Sequence, residues 1–104
     1  MRRVVVTGLG LVTPVGTGVE AAWSALLAGT SGAATITSFD TEGLATNYAC
    51  QVTRGDGSDG TFNPDDWMEP KEQRKVDDFI IYGMAATQQA GSDSGWAPTE
   101  MEDL

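Results

Sequence analysis

The chain contains no histidine and a single cysteine in 104 residues. Without an imidazole it cannot by itself supply a Ser-His or Cys-His nucleophile pair, or a histidine-rich metal site. One cysteine makes no intrachain disulfide, and with no clear leader segment a reducing cytoplasm is the expected compartment. Basic side chains are scarce, 6 against 15 acidic ones, and the formal net charge of −9 argues against a nucleic-acid partner. Large apolar side chains are few. Leu, Ile, Val and Phe together supply 20 residues, while Ala alone supplies 12. Ordering a chain opposes folding by roughly 1–2 kcal/mol per residue, and Ala-sized burial offsets that poorly, so a piece of a larger protein is expected. No apolar run is long enough to span a bilayer. The run from Val4 to Val15 follows Arg2 and Arg3, but Gly8, Gly10 and Pro14 interrupt it, which also makes it a poor secretory signal.

What is present reads as mixed α/β. Val4, Val5 and Val6 are consecutive β-branched residues, and the spacing predicts a strand over Arg3–Thr7 buried on both faces, which needs neighbours. Thr17-Gly18-Val19-Glu20 has the form of a capping box. A helix is expected to follow, with Val19, Ala22, Trp23, Leu26 and Leu27 on one apolar stripe and Gly29 as the left-handed residue past its end. Residues 30–69 are mostly irregular, with a short strand near Tyr48–Thr53 and a flexible Gly/Asp loop at 55–60. A second helix is expected from Pro70 to about Ser92, ended by Gly95, with Gly83 on its apolar face marking close helix packing. An acidic tail follows Trp96-Ala97-Pro98.

Several residues invite a chemical reading. Gly8-Leu9-Gly10 after a strand resembles part of a dinucleotide-binding fingerprint, yet Thr13 occupies the third glycine position and the next helix starts too late, so a tight structural turn is the better reading. Cys50 has no basic neighbour in sequence to activate its thiol, and reads as a small packing residue. The aspartates at 56, 59, 65 and 66 lack the alternate-position spacing of a calcium loop. Lys71, Arg74 and Lys75 are different. Half of the basic residues fall within five positions, at i, i+3 and i+4, on one face of the expected second helix. Such a cluster is either a solvated face or a docking patch for an acidic partner, the latter giving salt-sensitive binding.

Taken together, Arg2-Arg3-Val4-Val5-Val6-Thr7-Gly8-Leu9-Gly10, Thr13-Pro14-Val15-Gly16, Trp23 with Leu26-Leu27-Ala28-Gly29, Ser31-Gly32, Phe39-Asp40, Lys71-Glu72-Gln73-Arg74-Lys75-Val76-Asp77 and Ser94-Gly95 resemble, in order and spacing, the opening of the β-ketoacyl-acyl carrier protein synthases. The acidic loop around residues 55–66 and Gly91 depart from the family pattern. The resemblance implies an α/β chain forming the N-terminal part of a thiolase-like layered α/β/α/β/α fold, with residues 1–104 an incomplete first portion of a homodimeric, cytoplasmic enzyme. It implies decarboxylative Claisen condensation of acyl and malonyl thioesters without cofactor or metal. The reacting cysteine, in a Thr-Ala-Cys motif, and two histidines are expected outside these residues, since Tyr48-Ala49-Cys50 does not match that motif. It also implies that Lys71, Arg74 and Lys75 receive the acidic helix of acyl carrier protein. Two alternatives stand beside it: a non-catalytic carrier-docking module, and a synthase-like subunit without condensing activity.

Overall fold

The computed structural model describes residues 1–99; the acidic tail expected from the sequence lies largely outside them. The element order is β1 (Val12–Thr13), β2 (Gly16–Thr17), α1 (Val19–Leu27), β3 (Ala33–Thr35), β4 (Tyr48–Cys50), a 3₁₀ turn (Pro64–Asp66), α2 (Pro70–Gln73) and α3 (Asp78–Ser94). Two antiparallel ribbons replace any larger sheet among these residues. In the first, Val12 pairs with Thr17 and Thr13 with Gly16 around a Pro14-Val15 turn. That turn is closed by Thr13, whose hydroxyl donates to the Gly16 carbonyl at 2.8 Å and accepts from the Val15 N–H at 3.2 Å. In the second, Ala33, Ala34 and Thr35 pair with Cys50, Ala49 and Tyr48.

The Arg3–Thr7 strand is not formed. Val4, Val5 and Val6 are 89%, 74% and 78% exposed, and no described strand hydrogen-bonds to them. A strand is defined by its neighbours, and among the described residues these have none. The segment that follows is nonetheless held to α3. The Leu9 N–H donates to the Asp93 carboxylate at 2.9 Å and the Leu11 N–H to Gln89 Oε1 at 3.1 Å. Gly8 and Gly10 permit this approach. A Cβ at Gly8 would lie 2.3 Å from the Ala90 carbonyl oxygen, and one at Gly10 only 1.9 Å from that of Ala86, one helical turn earlier. Their role is close contact between backbone and helix rather than a tight turn.

The capping box at Thr17 is also not realised. Thr17 belongs to β2, and its N–H donates to the Gly60 carbonyl at 2.8 Å. Helix α1 instead begins after Gly18, which caps it at φ 97° without a side-chain bond. Gly29 takes the expected left-handed φ of 71°. Of the apolar stripe on α1 only Ala22 is buried; Trp23, Leu26 and Leu27 remain 59–71% exposed.

The second helix is broken. Helix α2 ends at Gln73, Asp77 adopts an extended ψ of 160°, and α3 starts at Asp78. Asp77 makes no side-chain cap bond, so it is its extended backbone that interrupts a pattern periodicity alone reads as continuous. The break lets Val76 turn inward against the core. Gly95 ends α3 at φ 69°, as expected. Gly83 and Gly91 face open space among the described residues, so the close packing expected at Gly83 is not seen there.

The core is small and lies at the α3 end. Phe62, Ile81 and Ala85 are buried, with Val12, Val52, Trp67, Met68, Val76 and Tyr82 packed around them. The ring of Phe62 meets that of Tyr82 edge-on, with centroids 5.0 Å apart. The Gly/Asp loop is what delivers Phe62, and it is tied down rather than loose. Asp56 accepts from the N–H and hydroxyl of Ser58, Thr61 Oγ1 accepts from the Gly57 N–H, and Phe62 bridges to Arg54 in parallel. A radius of gyration of 16.8 Å exceeds the roughly 13 Å usual for 100 residues, consistent with the thin core.

Candidate functional site

Lys71, Arg74 and Lys75 all lie exposed at the α2–α3 junction. Lys71 sits in α2, Arg74 caps its C-terminus in helical conformation, and Lys75 follows with its N–H donating to the Glu72 carbonyl at 3.0 Å. They therefore occupy one short helical turn and its exit, not one face of a long helix. Lys75 pairs with the Glu72 carboxylate at 3.1 Å, both side chains more than half exposed, a contact worth roughly 0–1 kcal/mol. Among the described residues Lys71 and Arg74 make no ion pair, so their charges face solvent. Gln73 fixes the turn from below: its amide donates to the Met68 carbonyl and the Asp65 carboxylate, each at 2.8 Å.

A fourth cation stands at the same junction, and the sequence pattern did not single it out. Arg54 Nη2 lies 2.8 Å from Asp78 Oδ1 and donates to the Tyr82 hydroxyl at 3.3 Å, with the guanidinium carbon 5.8 Å from the Tyr82 ring centre. The Tyr82 hydrogen bond, followed by Asp78, raises its pKa further and outweighs the opposing effect of burial. Seventeen positions separate Arg54 from Lys71, so no helical or strand period reveals the proximity.

Arg54, Asp78 and Tyr82 form one wall of an open cleft of about 690 Å³, whose other wall is the β3–β4 ribbon with Ala49, Cys50 and Gln51. Cys50 is exposed on β4, not packed in a core as its sequence context suggested. Nearby polar groups satisfy one another, with the Gln51 amide donating to Ser38 Oγ at 2.6 Å and accepting from the Thr37 N–H. The aspartates of the 55–66 loop make no metal cluster, and among the described residues no group of three or more His, Cys, Asp or Glu could hold an ion. Hydrogen bonds from Ser58 hold the Asp56 carboxyl below the ordinary aspartate value. No described helix is long and apolar enough to cross a membrane.

Among the described residues the arrangement offers exposed cations on a buttressed turn and no constellation of reacting groups. Residues 1–104 match the family model for the β-ketoacyl synthase N-terminal domain. The chain is 57% identical over 103 residues to the 3-oxoacyl-[acyl-carrier-protein] synthase 2 of Rhizobium meliloti, covering 99% of this chain and 24% of that protein. It is 49% identical over 94 residues to the synthase 2 of Vibrio cholerae, covering 90% and 21% respectively. Among solved structures, the ishigamide ketosynthase/chain length factor superposes with a TM-score of 0.76 at 40% identity, over 92% of this chain and 22% of that one. The chain thus spans about a quarter of the length of the curated relatives it matches. Its mixed α/β elements are the N-terminal part of a thiolase-like fold, and the chain belongs to the β-ketoacyl synthase family.

Proposed function

We propose that residues 1–104 are the opening, incomplete portion of a 3-oxoacyl-[acyl-carrier-protein] synthase that elongates fatty acyl chains, works as a cytoplasmic homodimer and takes its substrates from acyl carrier protein. In that reaction a cysteine thiol accepts an acyl group from the carrier thioester and releases the carrier thiol. Malonyl carrier protein then loses carbon dioxide, and the resulting carbanion attacks the acyl-cysteine thioester and expels the cysteine. Cys50 has no part in this: its Tyr-Ala-Cys context is wrong, and no histidine exists in the chain to polarise a thioester. The contribution of these residues is scaffold and a cationic landing site.

The observation that carries the docking assignment is the exposed Lys71, Arg74 and Lys75 turn, two of whose charges are unpaired among the described residues, on a chain of net charge −9. Local positive charge on an otherwise repulsive surface selects where an acidic helix lands. Exposed pairs are individually weak, which suits a carrier that leaves in every cycle. In the complete synthase, Arg74→Glu is expected to raise KM for acyl-carrier substrate about three- to tenfold at low salt, from one lost pair and one new repulsion. Thermal stability is expected to stay nearly unchanged; an unaltered KM refutes the assignment. A second reading, a synthase-like subunit that does not condense, draws on the likeness to a structure described as a ketosynthase/chain length factor. Condensing activity of the complete protein separates the two.

A further inference from the structure

We infer that Arg54 belongs to the same acidic-partner surface and supplies it with a short-range anchor; this inference rests on the docking role proposed for Lys71, Arg74 and Lys75. Three chain steps separate Lys75 from Asp78, so their Cα atoms are at most about 11 Å apart. The Arg54 guanidinium is 2.8 Å from the Asp78 carboxylate, which brings it to the edge of the cationic turn.

Its placement is rigid. The backbone at Arg54 bridges to Phe62, the Phe62 N–H donates to the Thr53 carbonyl at 2.8 Å, and the Gly55 N–H returns to the Phe62 carbonyl at 3.1 Å. Phe62 itself is fully buried. The head group is then aimed by Asp78 and Tyr82, both reached through Nη2 alone. Among the described residues Nε and Nη1 make no hydrogen bond, and the side chain is 44% exposed. The Nε–H and the Nη1–H groups are free and lie on opposite sides of Cδ, so each can donate a single charge-assisted hydrogen bond to a carboxylate, and a guanidinium already ordered loses less entropy in doing so. Asp78 therefore orients the cation rather than consuming it.

Asp78 also cancels most of the Arg54 charge at a distance. Lys71 and Arg74 act over a Debye length and set the approach, whereas Arg54 acts on contact and slows departure. An acidic helical segment of a carrier protein, with carboxylates one turn apart, fits both elements.

The test is binding of purified acyl carrier protein to the complete synthase, with rates and salt dependence recorded for Arg54→Ala, Asp78→Asn and Arg74→Ala. Arg54→Ala is expected to weaken affinity about fivefold, mainly through faster dissociation, with little change in the salt slope. Asp78→Asn removes the ion pair and a repulsive carboxylate but keeps an amide oxygen that can hold the guanidinium in place, so it is expected to preserve or tighten binding. Were Arg54 only a structural strut, both variants would break the same contact and shift binding in the same direction, which would overturn the inference. Weakening by Arg74→Ala without any effect of Arg54→Ala also overturns it while leaving the docking role intact. Normal binding by Arg74→Ala and Arg54→Ala alike would remove both.

Discussion

Replacing Gly10 with alanine would place a methyl group 1.9 Å from the Ala86 carbonyl oxygen and 2.8 Å from both the Ala86 carbonyl carbon and the Gln89 Cβ. Two of these three atoms are helix backbone and do not rotate away, so the N-terminal segment must lift off α3. Overpacking of this kind destabilises by typically 1–3 kcal/mol. Lifting also strains the Leu11 N–H bond to Gln89 and the Leu9 N–H bond to Asp93, each worth about 1 kcal/mol net. The expected loss is about 2–4 kcal/mol. Gly83→Ala is the matched control, because its methyl meets nothing within 4 Å among the described residues and alanine is favoured in a helix interior by about 1 kcal/mol. Urea denaturation of the complete synthase followed by circular dichroism should move the midpoint down for Gly10→Ala and leave it unchanged or raised for Gly83→Ala. A Gly10→Ala midpoint equal to or above that of the parent chain would refute the close-approach account of these glycines.

Two further outcomes test the platform behind the cationic turn. Phe62→Ala removes the largest fully buried side chain and should destabilise by about 3–5 kcal/mol, with Phe62→Leu costing clearly less; equal effects in thermal melts would show that the cavity is not what matters. Asp56 has a depressed carboxyl pKa in the folded chain, so its contribution is present above the unfolded value and is lost as pH falls through the folded one. Asp56→Asn should flatten that part of the acid limb of stability, measured by denaturation between pH 2 and 5 (approximate limits around the ordinary aspartate range), and an unchanged limb would deny the Ser58 hydrogen bonds their role.

The legible parts of the fold were those set by local backbone chemistry. Gly29 and Gly95 end their helices because only a residue without Cβ adopts that left-handed turn cheaply, and this needs no tertiary context. The Arg3–Thr7 strand failed for the opposite reason: its residues have the side chains of a buried strand but no partner among the described residues to complete a ladder. Thr17 looked like a helix cap until the Gly60 carbonyl claimed its N–H from a loop 43 residues away. In the site, Lys71, Arg74 and Lys75 were visible as adjacent charges. Arg54 was not, because its position depends on the Phe62 bridge and on an aspartate 24 residues downstream, and neither contact leaves a period in the sequence.

The two halves of the structure are held together by different means, and this bears on the proposed role. The cationic turn is braced by a core that the chain supplies for itself, Phe62, Ile81 and Ala85 with Tyr82 and Val76 around them. The N-terminal half instead leaves Val4, Val5, Val6, Trp23, Leu26 and Leu27 exposed. Burying six such side chains is worth on the order of 10 kcal/mol, as large as the whole stability of an ordinary domain. If these residues are the opening quarter of a synthase, the remaining three quarters provide that cover, and the N-terminal half gains most from their presence. The docking turn gains least. Its geometry is fixed by residues 52–85 with only Val12 of the N-terminal half packed against their core, so substitutions at Arg54, Arg74 or Lys75 in the complete protein should act on carrier binding without propagating into the covered half.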